Sequence, residues 1–363
     1  MKKSFPVILP FLAVSILALL MGLWAGLARI GWPLPVLPAA LPMQHGPLMI
    51  SGFLGTLIAL ERVAAIRKAW MFAAPFSSGL GWILSLALPA LPLGPLLITL
   101  GSLVASGILL YMVRREPKIY TVSMALGAAC WLVGNLLWIS GTPVFLVVWW
   151  WAAFLVLTIA GERLELSRVQ RFEKRHYRLF GLAAAVFLCG VALTTWLPAV
   201  GSRITGLGML ALSAWLVRFD IARRNLLRAS GLPRFIAACL FSGYIWLGLS
   251  GVFNLWFGAQ VAGMLYDAVL HAVFVGFVLS MIFGHAPIIF PALTGLSVAY
   301  HRGFYLPLIL LHASLILRTI ADLAGWPGGR MWGGILNEIA VLGFMGLFVF
   351  SVMRQKRARQ AAP

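Results

Sequence analysis

The chain has 363 residues, of which 62% are apolar and only 10% charged, and its mean hydropathy is +0.98. Soluble domains carry about 25% charged residues, so this composition excludes a water-soluble globule and requires a polytopic membrane protein. The formal charge of +19 argues against a nucleic-acid partner, because its Lys and Arg blocks lie between apolar runs, as loops on the cytoplasmic side of a membrane do.

A span needs roughly 20 apolar residues to cross a hydrocarbon core of about 30 Å. Runs of that kind cover Phe5–Leu27, Ala39–Leu60, Trp70–Leu88, Pro92–Val113, Ile119–Ile139 and Pro143–Ala160. Six more cover Leu179–Leu197, Ile204–Val217, Phe235–Phe257, Ala262–Gly284, Phe304–Leu323 and Trp332–Met353. The sequence therefore predicts an all-α, single transmembrane domain over 1–363 with about twelve helices. Met1-Lys2-Lys3 ahead of the first run reads as the start of an uncleaved span rather than a cleaved signal, because no small-residue cleavage site follows. Cys130, Cys189 and Cys239 fall inside apolar runs without metal-ligand spacing and read as small core residues.

Sorting the 28 Lys and Arg onto alternate loops places 24 on the side that carries both termini, Lys2 and Lys3 included. Arg29, Arg203 and Arg330 fall opposite, and Arg318 lies within a span. That asymmetry predicts an even number of spans with both ends cytoplasmic. Leu57-Ile58-Ala59-Leu60-Glu61-Arg62 in span 2 is echoed by Thr158-Ile159-Ala160-Gly161-Glu162-Arg163 in span 6. Span 10 ends Met281-Ile282-Phe283-Gly284-His285, and Asn135 and Asn254 open similar Asn-Leu-Trp ends in spans 5 and 9. These echoes suggest four-helix units over 1–115, 116–220 and 221–363, arranged about a pseudo-threefold axis along the membrane normal.

Ionisable side chains inside spans are costly and face the bundle interior or a cavity. Span 10 carries Asp267 and His271 on one helical face and His285 at its inner end; span 11 carries His312, Arg318 and Asp322; span 12 carries Asn337 and Glu338. Span 2 has His45 near its outer end and Glu61 at its inner end. Counting helical rise places His271 and His312 each roughly 14 Å deep, where they could meet, and leaves His45 and His271 only about 3 Å apart in height. Neutral imidazole enters low dielectric more cheaply than a charge and ligates haem iron, copper or zinc, so His45, His271, His285 and His312 are candidate metal ligands. Asp267 is the carboxylate that would orient His271. The plainer alternative is that each histidine is a hydrogen-bonded contact between helices. Arg318 and Asp322, four residues apart, read as an intrahelical ion pair, with a haem propionate as the alternative partner of Arg318. Glu61-Arg62 and Glu162-Arg163 read as caps and loop anchors. The apolar, proline-bearing stretch Gly284–Gly295 reads as a break after span 10, re-entrant or interfacial. Trp149, Trp150 and Trp151 read as a headgroup belt, or alternatively as packing for a cofactor.

These residues resemble the NnrS family. Leu270-His271-Ala272-Val273-Phe274-Val275-Gly276-Phe277 through Gly284-His285 is similar to that family's late helix, and Leu157–Arg163 to its helix ending in a glycine turn and Arg. Leu317-Arg318 and His45 ahead of Met49 and Gly52-Phe53 also fit. The resemblance implies a twelve-span bacterial inner-membrane protein binding haem, of b type, with copper as a further metal, and handling nitric oxide or a related small gas in nitrosative stress or denitrification. It makes His45, His271, His285 and His312 metal candidates, adds Arg318 to the cofactor residues, and puts Asp267, Asp322, Asn337 and Glu338 in a supporting shell or proton relay. Span 2 departs from the family pattern, with the single His45 in Gln44-His45-Gly46-Pro47-Leu48-Met49. The plan is also distantly similar to the catalytic subunits of haem-copper oxidases, but spans 6 and 7 contain no histidine for a copper site, which argues against oxygen reduction. Two other functions remain open on the sequence: a proton- or cation-coupled transporter using Asp267, His271, Arg318 and Glu338, and a scaffold or assembly protein of a respiratory complex. Whether any reaction, such as a nitric-oxide-related oxidoreduction, is catalysed stays open as well, as does the oligomeric state.

Overall fold

The computed structural model describes residues 5–35 and 38–361. Among them every regular element is helical, and twelve helices are long and apolar enough to cross a membrane. The chain is an all-α polytopic membrane protein. Its spanning helices are α1 (Val7–Arg29), α2 (Leu41–Ile66), α3 (Ala69–Ala87), α4 (Leu93–Arg115), α5 (Ile119–Ile139) and α6 (Val144–Gln170). They continue as α7 (Lys174–Thr194), α8 (Pro198–Phe219), α9 (Gly231–Phe257), α10 (Met264–Thr294), α11 (Arg302–Leu323) and α12 (Pro327–Arg357). Lys2 and Lys3, counted in the charge asymmetry, lie outside the described residues.

The helices outrun the apolar stretches because backbone hydrogen bonding, not hydropathy, decides where a helix stops. Basic residues with long aliphatic stems continue helices past the hydrocarbon edge, so α6 runs on through Glu162, Arg163 and Glu165. The eighth span is 22 residues rather than short, because Pro198 opens it at the first helical position, where a missing N–H costs nothing. The expected break at Gly284 does not occur. α10 carries Pro287 and Pro291 inside the helix and stops at Gly295, whose φ of 73° is easily adopted only without a Cβ. Prolines are tolerated within spanning helices when neighbouring groups satisfy the released carbonyls, and at the helix end Thr294 Oγ1 donates to the Phe290 carbonyl at 2.7 Å.

Two compact units result, the first ending at Thr158 and the second beginning at Ile159. In the first, α1 and α2 pack together and α4 lies along α3 and α5. In the second, α8 lies between α7 and α9, α9 packs on α10, and α11 on α12. The close pairs α3–α4, α7–α8 and α11–α12 recur every fourth helix. Small residues permit the tightest approach: a Cβ on Gly190 of α7 would collide with the Thr205 backbone of α8, and one on Gly201 of α8 with the Thr194 backbone of α7. Helices in lipid associate through such van der Waals closeness, since apolar surface gains little by leaving acyl chains.

The expected headgroup belt is not where the tryptophans sit. Trp149 and Trp151 are buried, and Trp151 Nε1 donates to Asn135 Oδ1 on α5 at 2.9 Å. A buried indole N–H requires an acceptor, and Asn135 supplies it. Of the cysteines, Cys130 and Cys239 are buried and Cys189 is exposed on the outside of α7.

Gly190→Ala tests the α7–α8 contact: overpacking should cost about 1–3 kcal/mol, read as a lower unfolding temperature in detergent. Gly343→Ala, where a Cβ meets nothing within 4 Å, should leave it unchanged or slightly raised.

Candidate functional site

Two of the spanning helices are not α-helical throughout. α2 is π-helical over Leu48–Gly55 and α10 over Ala272–Leu279. Each eight-residue segment follows closely on a histidine, His45 and His271, and each faces a tryptophan across a glycine. A Cβ on Gly55 would collide with the Trp131 ring, and one on Gly276 with the Trp246 ring. In the first unit, Trp131 Nε1 donates to Ser51 Oγ at 3.0 Å and its ring stacks on Phe154, centroids 4.8 Å apart. A π segment replaces α-helical hydrogen bonds with wider, less favourable turns and is found mostly at functional sites.

The histidine nitrogens can be assigned from their partners. A main-chain carbonyl only accepts, so a ring nitrogen bonded to one carries the proton. His45 Nδ1 donates to the Gly22 carbonyl of α1 at 2.7 Å. His271 Nδ1 donates to the Asp267 carbonyl at 2.9 Å and lies 3.2 Å from Asp267 Oδ1. His285 Nδ1 donates to the Met281 carbonyl at 2.7 Å. In the neutral ring each therefore keeps its lone pair on Nε2, the arrangement seen where imidazole binds a metal and its other nitrogen is held by a second group. The Nε2 of His285 is buried with no hydrogen-bond partner among the described residues.

His312 differs. Trp246 Nε1 can only donate, and it does so to His312 Nδ1 at 3.0 Å. The proton then sits on Nε2, 3.4 Å from Ser280 Oγ, which itself donates to the Cys239 carbonyl at 2.8 Å. With both nitrogens engaged, His312 is an interhelical contact, and it does not suit a metal. Nor does it meet His271: Ser280 lies nine residues further along α10, on the order of 13 Å of α-helical rise. The equal-depth expectation failed because α10 runs on to Thr294 rather than ending at Gly284, so His271 lies near one end of a 31-residue helix and not at its middle.

Behind His271 stands a buried charge network. Arg318 of α11 grips Asp267 bidentately, Nε to Oδ2 at 2.7 Å and one terminal nitrogen to Oδ1 at 2.9 Å. Arg330 of α12 reaches Asp267 Oδ1 at 3.2 Å and Asp322 Oδ1 at 3.3 Å. The expected Arg318–Asp322 pair within α11 is thus replaced by ties to two neighbouring helices. A carboxylate on α10 offers Arg318 fork geometry that a residue one turn along its own helix cannot. Arg318 has two of its donors on Asp267, which leaves less of it for a propionate. Arg330, assigned by sequence to an outer loop, belongs to this network, and its place in the first turn of α12 is the signal that hydropathy hid.

The remaining candidates are supports. Asn337 Nδ2 on α12 donates to Ser314 Oγ at 2.6 Å and to the Leu311 carbonyl at 3.2 Å, tying α12 to α11. Glu338, half-buried, has no hydrogen bond or ion pair among the described residues. Arg163, read as a loop anchor, is one: it grips Asp220 bidentately at 3.0 Å for each bond, and Ser167 Oγ joins at 3.1 Å. Among the described residues no three His, Cys, Asp or Glu side chains gather as a metal cluster.

A family model described as a domain of unknown function, DUF8744, matches residues 8–353, and the chain belongs to that family. No curated protein matches it.

Asp267→Asn should cost about 3–5 kcal/mol, because it leaves Arg318 and Arg330 without their counter-charge in a buried site. Thermal unfolding in detergent reads the loss, and adding Arg318→Gln to Asp267→Asn should recover part of it. Wild-type stability of the single variant would show the network to be dispensable.

Proposed function

We propose that this protein is a haem-binding membrane protein of NnrS type that binds or handles nitric oxide or a related small gas, in the inner membrane of a bacterium. The observation that carries the reading is the pair of π-helical segments, each preceded by a histidine whose Nδ1 is committed to a main-chain carbonyl. The residues suit the group on chemical grounds: imidazole is a haem-iron ligand, and His271 has the hydrogen-bonded carboxylate that raises ligand basicity and fixes the tautomer. His45 and His271, each within its own unit, would each offer Nε2 to an iron. His285 offers a further nitrogen donor for copper. When bound, haem iron would supply a coordination position for a diatomic gas where a histidine ligand is absent or displaced. Asp267, gripped by Arg318 and Arg330, lies against His271 Nδ1, so the neutral ring carries its proton there and its lone pair on Nε2. The excess of Lys and Arg on alternate loops supports a cytoplasmic location for both termini.

Purified from haem-supplied cells, the wild type should show a Soret band. His271→Ala should remove it or convert a low-spin spectrum to high-spin, and His45→Ala should alter it too. His176→Ala should be silent, since that ring lies in the Arg-rich first turn of α7, away from both widened segments in the chain. Spectra unchanged in both His271→Ala and His45→Ala would defeat the proposal.

A proton- or cation-coupled transporter is the second reading, favoured by Glu338, half-buried in α12 without an ion pair among the described residues. Proton-dependent uptake into vesicles by protein lacking any chromophore, lost in Glu338→Gln, would favour it.

A further inference from the structure

At the basic end of the second unit, where α6 ends, α7 begins and α8 ends, the chain forms a cleft of about 320 Å³. Its walls carry three guanidinium groups, those of Arg171, Arg175 and Arg218, with Phe172 and Phe219 between them. Glu173 is the one carboxylate in the lining, and it is taken by Arg175 at 3.1 Å. No carboxylate pairs with Arg171 or Arg218 among the described residues; Arg218 lies instead over the Phe219 ring, 5.3 Å from its centroid. The cleft therefore holds an unbalanced positive charge on guanidinium groups that are exposed to its mouth.

The cleft is built rather than frayed. His176 stacks on Phe172 with centroids 5.2 Å apart and meets Phe219 edge-on at 4.8 Å. Its Nδ1 accepts from the Glu173 N–H at 3.1 Å, so the neutral ring carries its proton on Nε2 as a donor. Trp215 Nε1 fixes the same turn by donating to the His176 carbonyl at 3.0 Å. Gln170 Nε2 donates to the Phe219 carbonyl at 2.9 Å and joins the ends of α6 and α8. Arg171 is held at φ 54°, a left-handed conformation uncommon outside glycine. Next to the cleft, the short helix Ile221–Arg228 adds Arg223, Arg224 and Arg228, and its N-terminal Asp220 is pinned by Arg163.

Its position names the ligand. Three spans end here, which is the headgroup level of a bilayer, and Leu166 and Val169 on α6 and Leu179 and Leu182 on α7 are exposed close behind it, where acyl chains would lie. We propose that the cleft binds the phosphodiester of an anionic lipid headgroup, with Arg171 and Arg218 gripping the phosphate. Guanidinium forks suit phosphate oxygens, and basic pockets between spanning helices bind such headgroups. This site is independent of the haem reading.

The test uses the full chain in detergent, with native mass spectrometry for retained lipid and thermal unfolding on addition of phosphatidylglycerol, phosphatidylcholine or inorganic phosphate. Phosphatidylglycerol should be retained and raise the unfolding temperature, while phosphatidylcholine and inorganic phosphate should not. R171Q/R218Q should weaken retention by roughly tenfold or more, whereas R114Q, in the basic last turn of α4, should not. Should R171Q/R218Q fail to fold, R171K/R218K keeps the charge but loses the fork, and it too should retain less lipid than wild type. Equal response to phosphatidylcholine, or wild-type retention in both double variants, would overturn the site. A stabilisation by inorganic phosphate that displaces phosphatidylglycerol would overturn the lipid and make the cleft a free-phosphate site.

Discussion

A buried carboxylate must be answered by cations from neighbouring helices, and Asp267 is the case on which the second unit turns. Stripping an ion of water costs several kcal/mol even after relaxation, so Asp267 draws in Arg318 from α11 and Arg330 from α12. Arg330 in turn reaches Asp322. One charge on α10 thereby fixes the approach of two helices, and lower in the bundle the Phe283–Phe344 stack, centroids 4.0 Å apart, holds α12 against α10. The same carboxylate lies against His271 Nδ1, so the network that organises the helices also holds that ring in place.

The π segments follow from a related demand. Beyond His45 and His271 the helices widen, and glycine at Gly55 and Gly276 lets an indole ring close against the backbone. Widening loses regular hydrogen bonding, which in lipid has no water to replace it; hydroxyls compensate, as where Ser78 Oγ donates to the Ser51 carbonyl at 2.8 Å. Two units built on different loop sequences arrive at one local device, a histidine, a widened helix and a glycine-seated tryptophan. That recurrence gives the histidines more weight than their spacing in the sequence did.

Much of the fold was legible because crossing a bilayer leaves a one-dimensional record of length and apolarity. Twelve spans, with the loops in order, follow from that record alone. The failures share a cause: hydropathy is blind to backbone hydrogen bonding, so it broke α10 at Gly284, shortened α8 and left Arg330 in a loop. Of the candidate ligands, His271 with Asp267 was visible because four-residue spacing sets two side chains on one face. His312 misled because sequence gives depth but not partners, and Trp246 and Ser280 come from other helices. Arg318 misled for the same reason, its carboxylate lying 51 positions away.

The central claim is that these histidines exist to hold haem. It is tested most directly by the haem content of the wild-type protein, purified from cells supplied with haem and assayed by pyridine haemochrome beside total metal analysis. The account predicts haem b in stoichiometric amount per chain. A well-folded preparation that carries no haem, and takes up none on titration, would contradict it.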